Sequence, residues 1–73
     1  MNATADQLAE ALARKRFATL QAAAMRRQIT VQQIAGDTGT EYIVSQRGGA
    51  YVARRFSLDA LAGLLQRMGV REP

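Results

Sequence analysis

Near the end of the chain, Leu58, Leu61, Leu64, Leu65 and Met68 recur at the spacing that places side chains on one face of a helix. Ser57 before them is an N-cap residue, and Asp59 sits in the first turn, where the helix dipole favours a carboxylate. Gly69 suits a left-handed C-terminal cap, with Val70 folding back onto Leu65. The pattern predicts a helix over about 58–68. Gly63 inside it costs about 1 kcal/mol relative to Ala and marks a candidate close approach to a neighbouring backbone.

The first third of the chain is also helical in pattern. Between Ala5 and Met25 it holds Ala, Leu and charged residues with neither Gly nor Pro, and Thr4 with Gln7 has capping-box spacing. It ends near Arg26, Arg27 and Gln28, where basic residues suit the negative end of the dipole, so the predicted helix covers about 5–27. Its apolar residues form two stripes rather than one: Ala5, Leu8, Ala9 and Leu12, and then Ala13, Phe17, Leu20 and Ala24, with Arg16 between them. Two arrangements fit this pattern. Either one wide apolar face carries Arg16 snorkelling at its edge, or one stripe meets the domain's own sheet and the other meets a second chain.

Between the helices the period changes to two. ITVQQIA, TEYIVSQ and AYVARRF are short, rich in β-branched and aromatic residues, and bounded by Gly or polar turn residues, which predicts three strands within about 29–56. Gly36-Asp37-Thr38-Gly39 links the first two as a tight hairpin, and Gly48-Gly49 links the second to the third. On the second strand, alternation places Tyr42, Val44 and Gln46 on one face and Glu41, Ile43, Ser45 and Arg47 on the other. Neither set is wholly apolar, so one face packs and the other is partly solvated. The expected fold is a single α+β domain over residues 1–73, αβββα, with a three-stranded antiparallel meander and both helices on one face of the sheet.

Composition adds one constraint: 14 of the 35 apolar residues are Ala, so the core is thin and burial against a partner is expected. The absence of His and Cys excludes soft-ligand zinc sites, iron–sulfur clusters, disulfides, thiol nucleophiles and imidazole acid–base chemistry. No apolar run approaches the roughly 18 to 20 residues of a membrane span, and MNATADQLAE has neither a basic leader nor an apolar signal core. We therefore expect a soluble, cytoplasmic chain with no membrane partner.

Candidate chemistry is sparse. Asp37-Thr38-Gly39 spells the tripeptide of aspartic proteases, but it occurs once, lacks the apolar strand run expected before it, and is ideal turn material. Asp6, Glu10, Asp37, Glu41, Asp59 and Glu72 lie on separate elements, apart from Asp6 and Glu10 at a solvated helix start, and supply no catalytic pair or divalent-metal nest. We expect no catalytic residues, no cofactor, no metal and no enzymatic activity.

The basic residues are better organised. The net charge is +4, and nine of the ten cations are Arg, a residue suited to bidentate contacts with phosphates and carboxylates. Arg14, Lys15 and Arg16 cluster on the first helix, Arg26 and Arg27 form a second cluster at its end, and Arg47, Arg54 and Arg55 lie on the second and third strands. Folded as read, the strand arginines converge with one end of the first helix in a basic patch for a protein or nucleic-acid partner. A GC-rich genome, which inflates Arg, Ala and Gly together, accounts for the same enrichment without a ligand.

ARKRFATLQAAA, GDTGTEYIVSQ and ARRFSLDALAGLLQRMG, covering roughly Ala13 to Gly69, resemble small uncharacterised proteins of proteobacterial phages and integrative elements. Those proteins similarly run a KRFAT-type helix into a D-x-G hairpin and end on a Leu-rich helix. The resemblance implies a setting in which tiny proteins act stoichiometrically on host machinery, as anti-CRISPR proteins do; it implies no catalytic residues. In element order the chain is also similar to double-stranded RNA-binding domains, whose last helix begins with Lys-rich phosphate contacts. Here Ser57, Leu58 and Asp59 begin that helix, and the Asp59 carboxylate opposes a phosphate. The expected function is binding to a protein, a second copy or a host factor, with inhibition of a defence system as one form. Self-association is expected through Ala5, Leu8, Ala9 and Leu12 as a homodimer. The alternative is a nucleic-acid-binding module using the arginine patch.

Overall fold

The computed structural model describes residues 3–37 and 39–73. The first helix, α1, spans Ala3–Met25, and the three strands are β1 (Thr30–Gly36), β2 (Gly39–Ser45) and β3 (Tyr51–Arg55). A short 3-10 turn, Arg47–Gly49, joins β2 to β3, and α2 spans Leu58–Arg67. The sheet is antiparallel in the order β1-β2-β3. This is the α+β fold of αβββα order that the sequence pattern predicts.

Inter-strand register shows why both helices share a face. Val31 stands opposite Val44, and Tyr42 and Val44 alternate on β2, so these three side chains point to one side of the sheet. All three are buried together with Leu20 and Ala24 of α1 and Leu61 and Leu65 of α2. Phe17 stacks at a tilt on Tyr42, with ring centroids 5.6 Å apart. The second stripe of α1 is therefore the core stripe, except that Ala13 is exposed. On the other side of the sheet Ile34 is exposed and Arg54 pairs with Glu41 (3.2 Å).

Both helices end in the same device. After α2, Gly69 takes φ 89°, its N–H donates to the Gln66 carbonyl, and the Val70 N–H reaches back to the Leu65 carbonyl at 2.8 Å, with Val70 itself buried. After α1, the Ile29 N–H likewise reaches the Ala24 carbonyl at 3.0 Å, but the left-handed residue is Gln28, at φ 63°. The left-handed turn at Gln28 ends α1 at Met25 rather than near residue 27, and a long polar side chain there gives no sequence signal for it. At the other end α1 already includes Ala3, so Thr4 is a helical residue rather than the cap, and the cap position lies outside the described residues.

Ser57 caps α2 as expected, its Oγ accepting from the Ala60 N–H at 3.1 Å. Gly36 pairs with Gly39, which takes φ 134°, across the expected hairpin; Thr38 of that turn lies outside the described residues. Gly63 departs from expectation. A Cβ placed there meets nothing within 4 Å, so no backbone approaches it closely. Gly63→Ala is accordingly expected to stabilise the fold, by up to about 1 kcal/mol from helix propensity alone, seen as a rise in melting temperature; a fall would show an unrecognised contact at this position.

Candidate interaction surfaces

The relation between the two helices defines the first surface. Arg16, midway along α1, donates through Nη1 to Asp59 in the first turn of α2 (2.6 Å), and Arg27 beyond the end of α1 lies beside Gly69 beyond the end of α2. The helices are thus parallel, and α2 begins level with Arg16. The residues of α1 before Arg16 overshoot α2 by roughly 20 Å at 1.5 Å per residue.

Leu8, Leu12 and Arg16 form one row at four-residue spacing, and the last of them is the residue that faces α2. Leu8 and Leu12 continue that row past the point where α2 starts, and they are 60% and 58% exposed. Ala5 and Ala9 beside them are exposed as well. The first stripe is therefore separate from the core stripe, and its apolar side chains lie outside the core cluster. Phe56, which precedes α2 at the same end of the molecule, is also exposed.

Arg16 does more than lie at the edge of an apolar face. Its Nε and Nη2 hold the Glu72 carboxylate in a bidentate pair at 2.8 and 3.2 Å while Nη1 holds Asp59, so one guanidinium ties the C-terminal tail and the start of α2 to α1. The hydrogen bonds to Glu72 and then Asp59 raise the Arg16 pKa further above its ordinary value, and the Arg16 hydrogen bond holds the Glu72 carboxyl below the usual range. These groups are open to water, so screening leaves the cluster a modest contribution to stability. Its partners are 43 and 56 residues away in sequence, which hides it from any local pattern.

The arginines gather differently from the sequence expectation. Arg54 and Arg55 are successive residues of one strand and point to opposite faces: Arg54 pairs with Glu41 on the open face, and Arg55 lies beside Ala60, Gly63 and Arg67 of α2. Neither joins Arg47, which sits in the 3-10 turn at the far end of the sheet. There Arg47 donates to the Gln28 side chain (3.1 Å) and, with Arg26, Arg27, Ile29 and Met68, lines a groove of about 680 Å³. An adjoining groove shares Arg26 and Arg27 and adds Arg71, a residue the sequence reading did not single out. Arg14 and Lys15 are exposed on α1, on the overshooting side of Arg16 and away from this cluster.

The ion pairs among the described residues, Arg16 with Asp59 and Glu72 and Arg54 with Glu41, leave Arg26, Arg27, Arg47 and Arg71 out. Both helices point their C-termini toward this end, each equivalent to roughly −0.5 charge. Four guanidiniums exceed what those dipoles neutralise, so an excess of about three positive charges remains. No group of three or more metal-ligating side chains occurs among the described residues, and none of the described helices is long and apolar enough to cross a membrane. Comparison with protein-family models, with curated proteins and with solved structures finds no match to this chain.

Proposed function

We propose that this chain acts without catalysis, by binding protein in the cytoplasm, and that the overshooting half of α1 is the contact. The observation that carries the reading is the exposure of Leu8 and Leu12 on the side of α1 where α2 has stopped. The two Leu share one exposed row of the helix, and their burial against a partner recovers on the order of 2 kcal/mol each. A second copy fits this surface directly. Two overshooting halves laid antiparallel each fill the step that the other's short α2 leaves open, giving a homodimer.

The resemblance to phage and integrative-element proteins adds a setting in which the dimer holds a host factor stoichiometrically, as an inhibitor of a defence system would. Tagged capture from host lysate, with and without nuclease, tests this. We expect captured host protein to survive nuclease, and a co-captured second copy of the chain to be lost when Leu8 and Leu12 are both changed to Glu. Capture that disappears with nuclease would favour the second reading.

That second reading, a nucleic-acid-binding module, rests on the uncompensated arginines at the far end of the sheet. If they bind phosphates, Arg26→Ala, Arg27→Ala and Arg47→Ala each weaken binding about equally across sequences and flatten the salt dependence by about one unit of slope. Arg54→Ala, already paired with Glu41, has less effect. Anisotropy titrations with duplex DNA, single-stranded DNA and duplex RNA at two salt concentrations measure this, and no binding to any of them at low salt eliminates the reading.

A further inference from the structure

The two edges of the sheet are built differently. β3 has five residues, carries Arg54 and Arg55, and is bulged where Val44 and Ser45 pair with Ala53 and Tyr51, all features that obstruct an added strand. β1 has seven residues, TVQQIAG, without a charge or a proline. It carries none of these protections.

Its register shows which backbone groups face outward. Gly36 and Gly39 close a two-residue loop, which makes them a hydrogen-bonded pair, and along an antiparallel ladder such pairs alternate. Thr30, Gln32, Ile34 and Gly36 therefore direct their N–H and C=O groups into β2, whereas Val31, Gln33 and Ala35 direct theirs away from it. The Val31 carbonyl is taken by Gln21 Nε2 of α1 at 2.9 Å. Among the described residues, the backbone hydrogen bonds formed outside the helices and strands include none at Gln33 or Ala35.

The wall above this edge has a chemistry of its own. Gln21 marks the side of α1 that overlooks β1, and helical spacing puts Arg14, Ala18 and Met25 on the same side, with all three exposed. Between this wall and the distal half of β1 lies a groove of about 380 Å³ lined by Glu10, Ala13, Arg14, Gln33, Thr40 and Tyr42. Glu10 and Arg14, one turn apart, put one carboxylate and one guanidinium on this groove, and neither makes an ion pair among the described residues.

We propose that the β1 edge receives an extended segment of a protein partner as a fourth strand, paired with Gln33 and Ala35 and carrying an acidic residue that meets Arg14. Donors and acceptors that alternate along an open edge match the repeat of another extended backbone, so a strand is the occupant that pairs with Gln33 and Ala35 together. The β1 of a second copy fits poorly, because each copy brings its own α1 over β1: packed helices need about 8–10 Å between axes, whereas paired strands lie about 4.8 Å apart. The proposal rests on the protein-binding reading and adds to it the mode by which a partner other than a second copy is held.

The test is selection of random displayed peptides on the immobilised full chain, followed by amide hydrogen exchange of the complex. Enriched peptides should combine apolar and acidic residues and slow exchange at Gln33 and Ala35. Ala35→Pro should weaken them about tenfold or more through the lost donor, and Arg14→Glu should weaken the acidic ones. The Ala35 N–H lies outside the β1–β2 ladder, so Ala35→Pro should still fold; if it does not, a synthetic chain with N-methylated Ala35 makes the same comparison. No enrichment, equal binding to the altered chains, or a dimer of the wild-type chain that Ala35→Pro dissolves would each overturn the proposal. Peptides that bind but are lost with Leu8→Glu and Leu12→Glu, leaving β1 exchange unchanged, would overturn it while sparing the protein-binding reading.

Discussion

Truncating Leu61 or Leu65 to Ala is expected to lower the melting temperature by at least about 10 °C, or to leave the chain unfolded at room temperature. Both side chains are fully buried, on the one face of α2 that meets Val31, Tyr42 and Val44 of the sheet and Leu20 and Ala24 of α1. Cutting a buried Leu to Ala costs about 2–5 kcal/mol, through lost transfer energy and the cavity left behind. A domain of this size holds a total stability near the low end of about 5–15 kcal/mol. In a chain of 60–100 residues each kcal/mol moves the melting temperature by about 4–8 °C, so a single truncation removes a large part of the margin. Leu58→Ala and Leu64→Ala, at half-buried positions, should cost visibly less. Thermal melts followed by circular dichroism rank the four, and equal small shifts for all would contradict the core described above.

The second large effect is on assembly rather than folding. Changing Leu8 and Leu12 together to Glu is expected to raise the dimer dissociation constant by a factor on the order of 10³ or more. In the proposed dimer, four Leu side chains would leave the interface, at about 2 kcal/mol each, and four carboxylates would face one another in their place. The same change should leave the melting temperature of the monomer nearly unaltered, because both positions are exposed and Glu is as good a helix former as Leu. That separation of assembly from stability distinguishes an interface from a core. It would fail if Leu8 and Leu12 packed on their own chain.

Much of this fold is legible locally. Ser57 and Gly69 bracket α2, Gly36 and Gly39 close the first hairpin, and the change from a helical to a two-residue period marks the sheet. Each of these signals acts within a few residues of where it is written. The features that escaped depend on partners distant in sequence. Arg16 finds Glu72 and Asp59 only once the helices lie parallel; the separation of Arg54 from Arg55, by contrast, follows from strand pleat, a local period of two. The division of Arg47 from both follows from the length of β3. Gln28 in a left-handed cap is a local feature, but one imposed by the burial of Ile29 rather than by its own side chain. The stripe of Ala5, Leu8, Ala9 and Leu12 was visible as a pattern. Its role was open because exposure depends on where α2 begins.

Sedimentation of the full chain at tens of micromolar, beside the chain with Leu8→Glu and Leu12→Glu, tests the central claim most directly. The account predicts a wild-type dimer and a folded monomeric variant. A wild-type chain that sediments as a monomer across that range, or a dimer that both substitutions leave intact, would contradict it.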